Sequence, residues 1–391
     1  MTSASSSDTS GTNLQKKIEL TETQVSTFSN VLLEYGLYVM AHSSPLILDA
    51  SPFLTSDKSG FAANSVTTNI CVSPLPLVRA WALLSFAAVG KTKKAFGKFL
   101  QSITLNLVPE DKSIHDVLAL LNIPFVGIPQ CIRVFSENQP VIPLNKAICE
   151  KMEGYYSTQN SLSPICPMNF SGDDDGLASI TRINKEAQKC SGGFLKYVVR
   201  EENGPNRRSL MVLLSSIDCT FYWKFDGKRG PLTRCPFYES AGDGRTSDLF
   251  VWPCEGNFRC SLSDSEKLVE LESNVEGFKL YLYRSSEPPT ATSFEQAVDS
   301  LPKSKTFQKI CVPHFSVMCP LRLSECTNNK GKFGLRRIFD REKSDLSGIF
   351  YRSHSFYPYF VTLWEHYHKA KFTNNTAATY LTTEGTGQSK V

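Results

Sequence analysis

Histidine is scarce in this chain of 391 residues, six in all, and none stands near a cysteine or serine in a triad-like signature. No G-x-S-x-G occurs either, so hydrolysis by an activated nucleophile is set aside and the chain is not expected to be an enzyme. Gly90-Lys-Thr lacks the upstream glycine of a phosphate loop, because that place is Ser85. Among the twelve cysteines there is no Cys-x-x-Cys pair, and they are dispersed over a chain long enough to have its own core. Free thiols in a reducing compartment are expected, not a disulfide framework.

Long apolar runs are also missing. The longest, residues 72–89, contains Pro74, Pro76 and Arg79. A spanning helix needs about 20 nearly uninterrupted apolar residues, so this stretch reads as a buried core helix. The start, Met1-Thr-Ser-Ala-Ser-Ser-Ser-Asp, has no apolar signal region, from which cytoplasmic or nucleocytoplasmic residence is expected. Charge of one sign is nowhere concentrated: 42 basic residues face 38 acidic ones, a net of +4. Lys93-Lys94, Arg207-Arg208 and Arg336-Arg337 are isolated pairs that read as solvated surface, so neither nucleic acid nor a membrane is an expected partner. Glu365, His366 and His368 offer two histidines on one face of a strand but no third ligand. The spacing of Cys311, His314, Cys319 and Cys326 fits no zinc ribbon. No metal and no cofactor is expected.

What is present is core material: 41% of the residues are hydrophobic, enough for one large domain or two. Residues 1–22 are Ser/Thr-rich without periodicity and read as a disordered extension of a domain covering residues 23–391. Residues 25–40 carry apolar positions at i+3 and i+4 spacing, an amphipathic helix, and a polar insertion follows over residues 41–68. Ser73-Pro74 is a strong helix start, and residues 77–84 and 86–89 continue as an almost wholly apolar helix. Gly90-Lys-Thr closes it and opens a second helix through Phe96 and Leu100. Helical patterns recur over residues 144–155, 177–189 and 293–301. Strand-like runs occupy residues 131–135, 210–214, 268–271 and 278–283, the last two joined by Asn274-Val-Glu-Gly as in a hairpin. Helices first and mostly antiparallel strands later predict an α+β fold and not βαβ repeats.

The motifs at the junctions, in this order, resemble the serpin family over residues 25–349. They are Asn69-Ile-Cys-Val-Ser-Pro-Leu-Pro-Leu with Gly90-Lys-Thr, Arg182-Ile-Asn-Lys with Ser191-Gly-Gly-Phe-Leu, and the apolar strand running to Trp223 and Phe225-Asp226. Val312-Pro-His-Phe-Ser, Leu335-Arg-Arg-Ile-Phe-Asp and Ser344-Asp-Leu-Ser-Gly-Ile complete the series. The resemblance implies eight or nine helices around three mostly antiparallel sheets in a single domain. It also implies a central sheet that accepts the chain's own reactive loop as an extra strand. By this likeness the protein is a serine-type endopeptidase inhibitor acting as a suicide substrate, a monomer with a target protease as partner. Extracellular residence would follow from family analogy.

The resemblance places Ser73, Ser215 and His368 in the region where the sheet opens, and Trp223 at its top. Pro76 stands where the family has a second serine, and proline has neither hydroxyl nor N–H, so that hydrogen-bond network is altered. After Ile349, 42 residues remain. A strand, a loop of roughly 12–15 residues and two further core strands do not fit into that length. The tail, residues 350–391, is read in three ways. His368-Lys-Ala resembles the start of the strand leading to the loop; Thr379-Tyr-Leu-Thr-Thr-Glu-Gly-Thr resembles the strand and hinge, with Glu384, Gly385 and Thr386 as hinge residues; residues 354–363 resemble a core strand. Inhibition is therefore expected to be impaired or absent, and the alternative is a serpin-like protein that binds a partner, in a chaperone-like way, without inhibiting.

Overall fold

The computed structural model describes residues 21–42, 44–45, 72–104, 115–116, 130–138, 140, 143–156, 163–170, 172, 176–190, 197, 199, 201, 204–206, 209–224, 227–238, 246–273, 279–314, 316–322, 333–340, 343–351, 362–375 and 378–390. The expected extension up to residue 20 and most of the insertion at residues 41–68 lie outside them.

The first helix, α1 (Glu22–His42), buries Phe28, Val31, Tyr35 and Val39, the stripe that its periodicity predicts. Helix α2 (Pro74–Ser85) starts where expected, with Ser73 extended at the N-cap and proline in the first turn. It is buried from Pro76 to Ser85, so its nearly uniform apolar sequence reflects contact on all sides. Trp81, fully enclosed, donates its indole N–H to the Tyr35 hydroxyl at 2.9 Å and joins the two helices.

Residues 86–89 do not continue α2 as the pattern predicts. The N–H groups of Phe86, Ala87 and Ala88 turn back to residues 83–85, whereas the Val89 N–H donates to Asp345 O at 3.0 Å and the Gly348 N–H to Ala87 O at 2.9 Å. Helix α3 (Gly90–Thr104) then begins at Gly90, whose φ of 55° suits glycine. The Asp345 N–H donates to the Thr92 hydroxyl at 3.0 Å, and the Asp345 carboxylate accepts the N–H and hydroxyl of Ser347. Two motifs far apart in the chain, Gly90-Lys-Thr and Ser344-Asp-Leu-Ser-Gly-Ile, thus form one clamp.

Strand β1 (Ser44–Pro45) is a short edge piece, followed in the chain by β2 (Gln130–Glu137), α4 (Lys146–Tyr156), β3 (Ile165–Met168) and α5 (Leu177–Cys190). Strand β4 (Ser209–Lys224) extends ten residues beyond the apolar run that announces it. Its opening run is buried on both faces: Met211 and Leu213 join the core with α1–α3, whereas Val212 and Leu214 join Phe135, Ile180 and Ile183 under α5. The Asn184 side chain, from the Ile-Asn motif, bonds both the N–H and the C=O of Val199, at 3.0 and 2.8 Å.

Beyond β4 come β5 (Gly227–Arg229), β6 (Thr233–Tyr238), β7 (Thr246–Leu262), β8 (Glu266–Ser273), β9 (Lys279–Ser285), α6 (Ala291–Asp299), β10 (Thr306–Pro313), β11 (Ser316–Arg322), α7 (Arg336–Phe339), β12 (Thr362–Asn375) and β13 (Ala378–Lys390). β8 and β9 pair antiparallel, the expected hairpin. Across the first sheet the order is β1, β11, β12, β13, β4, β2, β3, antiparallel except for β2 and β3. The last two residues of β4 pair with β8, and β7 runs from that second sheet into a third with β5, β6 and β10. β8 separates two cores, Leu268 packing with Ala297 and Leu301 of the α6 region and Val269 and Leu271 with Trp252 and Phe258. The result is an α+β fold.

Candidate functional site

The centre of the first sheet holds most of the residues singled out above. β13 lies between β12 and β4 and is paired with both along nearly its whole length. β12 and β13 are antiparallel neighbours in sequence, and Asn375 faces Ala378 across a two-residue connection, the shortest hairpin link. The His368-Lys-Ala segment of the tail lies in β12, a strand next to β11. The segment containing Glu-Gly-Thr is the strand after it. Most of residues 354–363 lies outside the described residues.

One row of paired residues crosses the sheet at mid-height. Leu321 on β11 faces His368 on β12, His368 faces Gly385 on β13, Gly385 faces Ser215 on β4, and Ser215 faces Ile132 on β2. Ser215 is 2% exposed, and its hydroxyl donates to the carbonyl of Pro76 at 3.0 Å. That bond ties the sheet to the first turn of α2. Ser73, three residues earlier, is buried at the N-cap, although its side chain does not cap the helix. Pro76, noted in the sequence for the donors it lacks, is present at the site as an acceptor. A carbonyl in a first helical turn has two lone pairs, so it can take a sheet hydroxyl as well as a helical N–H. Sequence reasoning missed that role because the acceptor is backbone.

Glu384, Gly385 and Thr386 are not at a strand end. They face Ser216, Ser215 and Leu214 on β4, and Lys369, His368 and Tyr367 on β12. In this structure they are ladder residues, paired on both sides. Trp223 stands apart from the row, eight residues along β4 from Ser215, roughly 26 Å at strand rise. There it faces Ser273 of β8 and packs, half-buried, against the core of Trp252 and Phe258. Ser215 and His368 therefore stand in one row of the sheet, Ser73 lies at the start of the helix whose Pro76 bonds Ser215, and Trp223 lies at the junction of two sheets.

Among the described residues no group of three or more His, Cys, Asp and Glu side chains is arranged to hold a metal. Among the described residues Cys149, Cys235, Cys254, Cys260 and Cys311 form no disulfide. No described helix is long and apolar enough to cross a membrane.

The geometry defines a class first: an α+β protein in which helices pack on a large antiparallel sheet whose central strand is a hairpin partner folded back into it. Known structures give that class its name. No protein-family model and no curated protein sequence matches this chain. Solved structures do. Lamprey angiotensinogen with a cleaved reaction loop is similar with a TM-score of 0.73 and 13% identity, over 95% of this chain and 100% of that one. Emu ovalbumin is similar with a TM-score of 0.72 and 14% identity, over 93% and 90% of the two chains. Cleaved Serpin 42Da is similar with a TM-score of 0.71 and 15% identity, over 94% and 91%. The chain has the serpin fold.

Proposed function

We propose that this protein is a non-enzymatic, serpin-type binding protein that engages another protein and, with β13 in place, does not inhibit proteases. One observation carries the reading: the strand position between β12 and β4 is already filled. Insertion of a loop into that position would be the driving step of inhibition, and a sheet paired on both sides offers no unpaired edge there. The bond from Ser215 to Pro76 supports a closed sheet at the same level. Neither nucleic acid nor a membrane belongs to this reading, and a monomer suffices for it.

A second reading rests on the composition of β13. Ala378–Lys390 contains four threonines and two glycines and is joined to β12 by only two residues, so it is suited to leave and re-enter the sheet as a unit. In that case the protein inhibits proteases while the strand is out. Incubation with trypsin-, chymotrypsin- and papain-like proteases separates the two. The first reading expects cleavage or resistance with no covalent product, and an SDS-resistant complex would overturn it in favour of the second.

A further inference from the structure

The end of β4 borders a cleft of about 410 Å³ whose polar lining is Lys224, Asn257, Arg259, Glu270, Glu272 and Lys305. The volume lies within the range of small-molecule sites. At its floor the Glu270 side chain is 1% exposed. Both of its oxygens accept from Arg259 at 3.0 Å, and one also accepts from Lys279 and from the Tyr281 hydroxyl, each at 3.0 Å. Burial raises the Glu270 carboxyl, but the hydrogen bonds from Lys279 and Tyr281 and the charges of Lys279 and Arg259 outweigh it and hold the group below its ordinary value. Arg259 is fixed further by donating from Nε to Pro302 O at 2.9 Å. This carboxylate is therefore occupied in holding the floor.

The rim differs. Glu272 faces Lys224 across the β4–β8 pairing, yet its carboxylate is taken by Lys305 at 3.1 Å. Lys305 and Glu272 are 42% and 37% exposed, and such pairs contribute at most about 1 kcal/mol, so an incoming anion can compete. Among the described residues Lys224 makes no ion pair. The lining carries three cations and two carboxylates, and Lys279 adds a further cation at Glu270, so positive charge is in excess.

We infer that this cleft binds a small organic monoanion, a carboxylate or sulfate group held by the ammonium groups of Lys224 and Lys305. Glu270 is already matched by Arg259 and Lys279, and Glu272 by Lys305, so a single anionic group engages the lining cation, Lys224, that has no ion pair among the described residues. The site is built on paired strands, which fixes its geometry, and β13 pairs with β4 only as far as Tyr222.

Calorimetric titration of the full chain with 2-naphthalenesulfonate, and with neutral 2-naphthalenemethanol, tests the assignment. Binding of the sulfonate and not of the alcohol is expected, with affinity about tenfold weaker in Lys224→Met and in Lys305→Met. Glu272→Gln, which frees Lys305, is expected to bind about threefold more tightly. Thermal midpoints within about 2 °C of the parent show that the variants are folded. Undetectable binding of the sulfonate at millimolar concentration, equal binding of the alcohol, or unchanged affinity in Lys224→Met overturns the proposal.

Discussion

Ser215 and His115 are two residues whose behaviour follows from what surrounds them. The Ser215 hydroxyl is buried with the Pro76 carbonyl as its acceptor, so Ser215→Ala is expected to cost about 1 kcal/mol, read as a lower urea midpoint with unchanged m-value. His115 stacks on Phe86 with ring centroids 4.0 Å apart, and one ring nitrogen lies 3.3 Å from the Tyr156 hydroxyl. Burial lowers its pKa from 6.5 to about 4, with Asp116 opposing and Lys93 adding to the shift. The unfolded chain therefore takes up this proton first as pH falls. Stability is unaffected at pH 7 and declines between about pH 6.5 and 4, by about 3 kcal/mol in total. Urea titrations across that range check the slope, and His115→Phe, which keeps the stacking, is expected to flatten it.

At the scale of elements, helix starts were legible and strand extents were not. α2 and α3 begin at Pro74 and Gly90 because local chemistry fixes those positions: proline needs no donor in the first turn and glycine accepts a positive φ. Gly176, just before α5, is a stricter case, with φ 77° and an added Cβ only 1.9 Å from Pro205 O. Gly176→Ala is expected to destabilise by about 2 kcal/mol or more, measurable as a fall in thermal midpoint. By contrast, α2 stops at Ser85 and not at Val89 because a segment some 260 residues later bonds the backbone of residues 87 and 89. The strands β3, β5 to β7, β10 and β11 carry no local signal either, and the polar half of β4 was placed only by the resemblance. Strands are held by partners elsewhere in the chain, and residues such as Ser215, Ser216 and Asp218 carry no alternation that marks them as strand before those partners are known.

For the whole molecule, the decisive feature is the place of β13. Deleting residues 376–391 leaves β12 and β4 with unpaired edges and is expected to lower the thermal midpoint by about 10 °C or more. A synthetic peptide of Ala378–Lys390 added in excess is then expected to restore part of the loss, and no recovery would show that pairing at this position is not what stabilises the sheet. The site was half legible in the same sense: Ser73, Ser215 and His368 were singled out by resemblance, but that His368 and Ser215 share a row with Gly385, and that Ser215 bonds Pro76, was not visible. The sequence by itself determined the α+β class, the helix starts and the motifs at the junctions, because capping, turn chemistry and apolar periodicity act over a few residues. Only the tertiary structure decided which tail segment fills the sheet, that Glu384, Gly385 and Thr386 are ladder residues, and that Lys224 makes no ion pair among the described residues. Register and charge pairing join residues hundreds of positions apart, and no local pattern encodes which of the alternative neighbours wins.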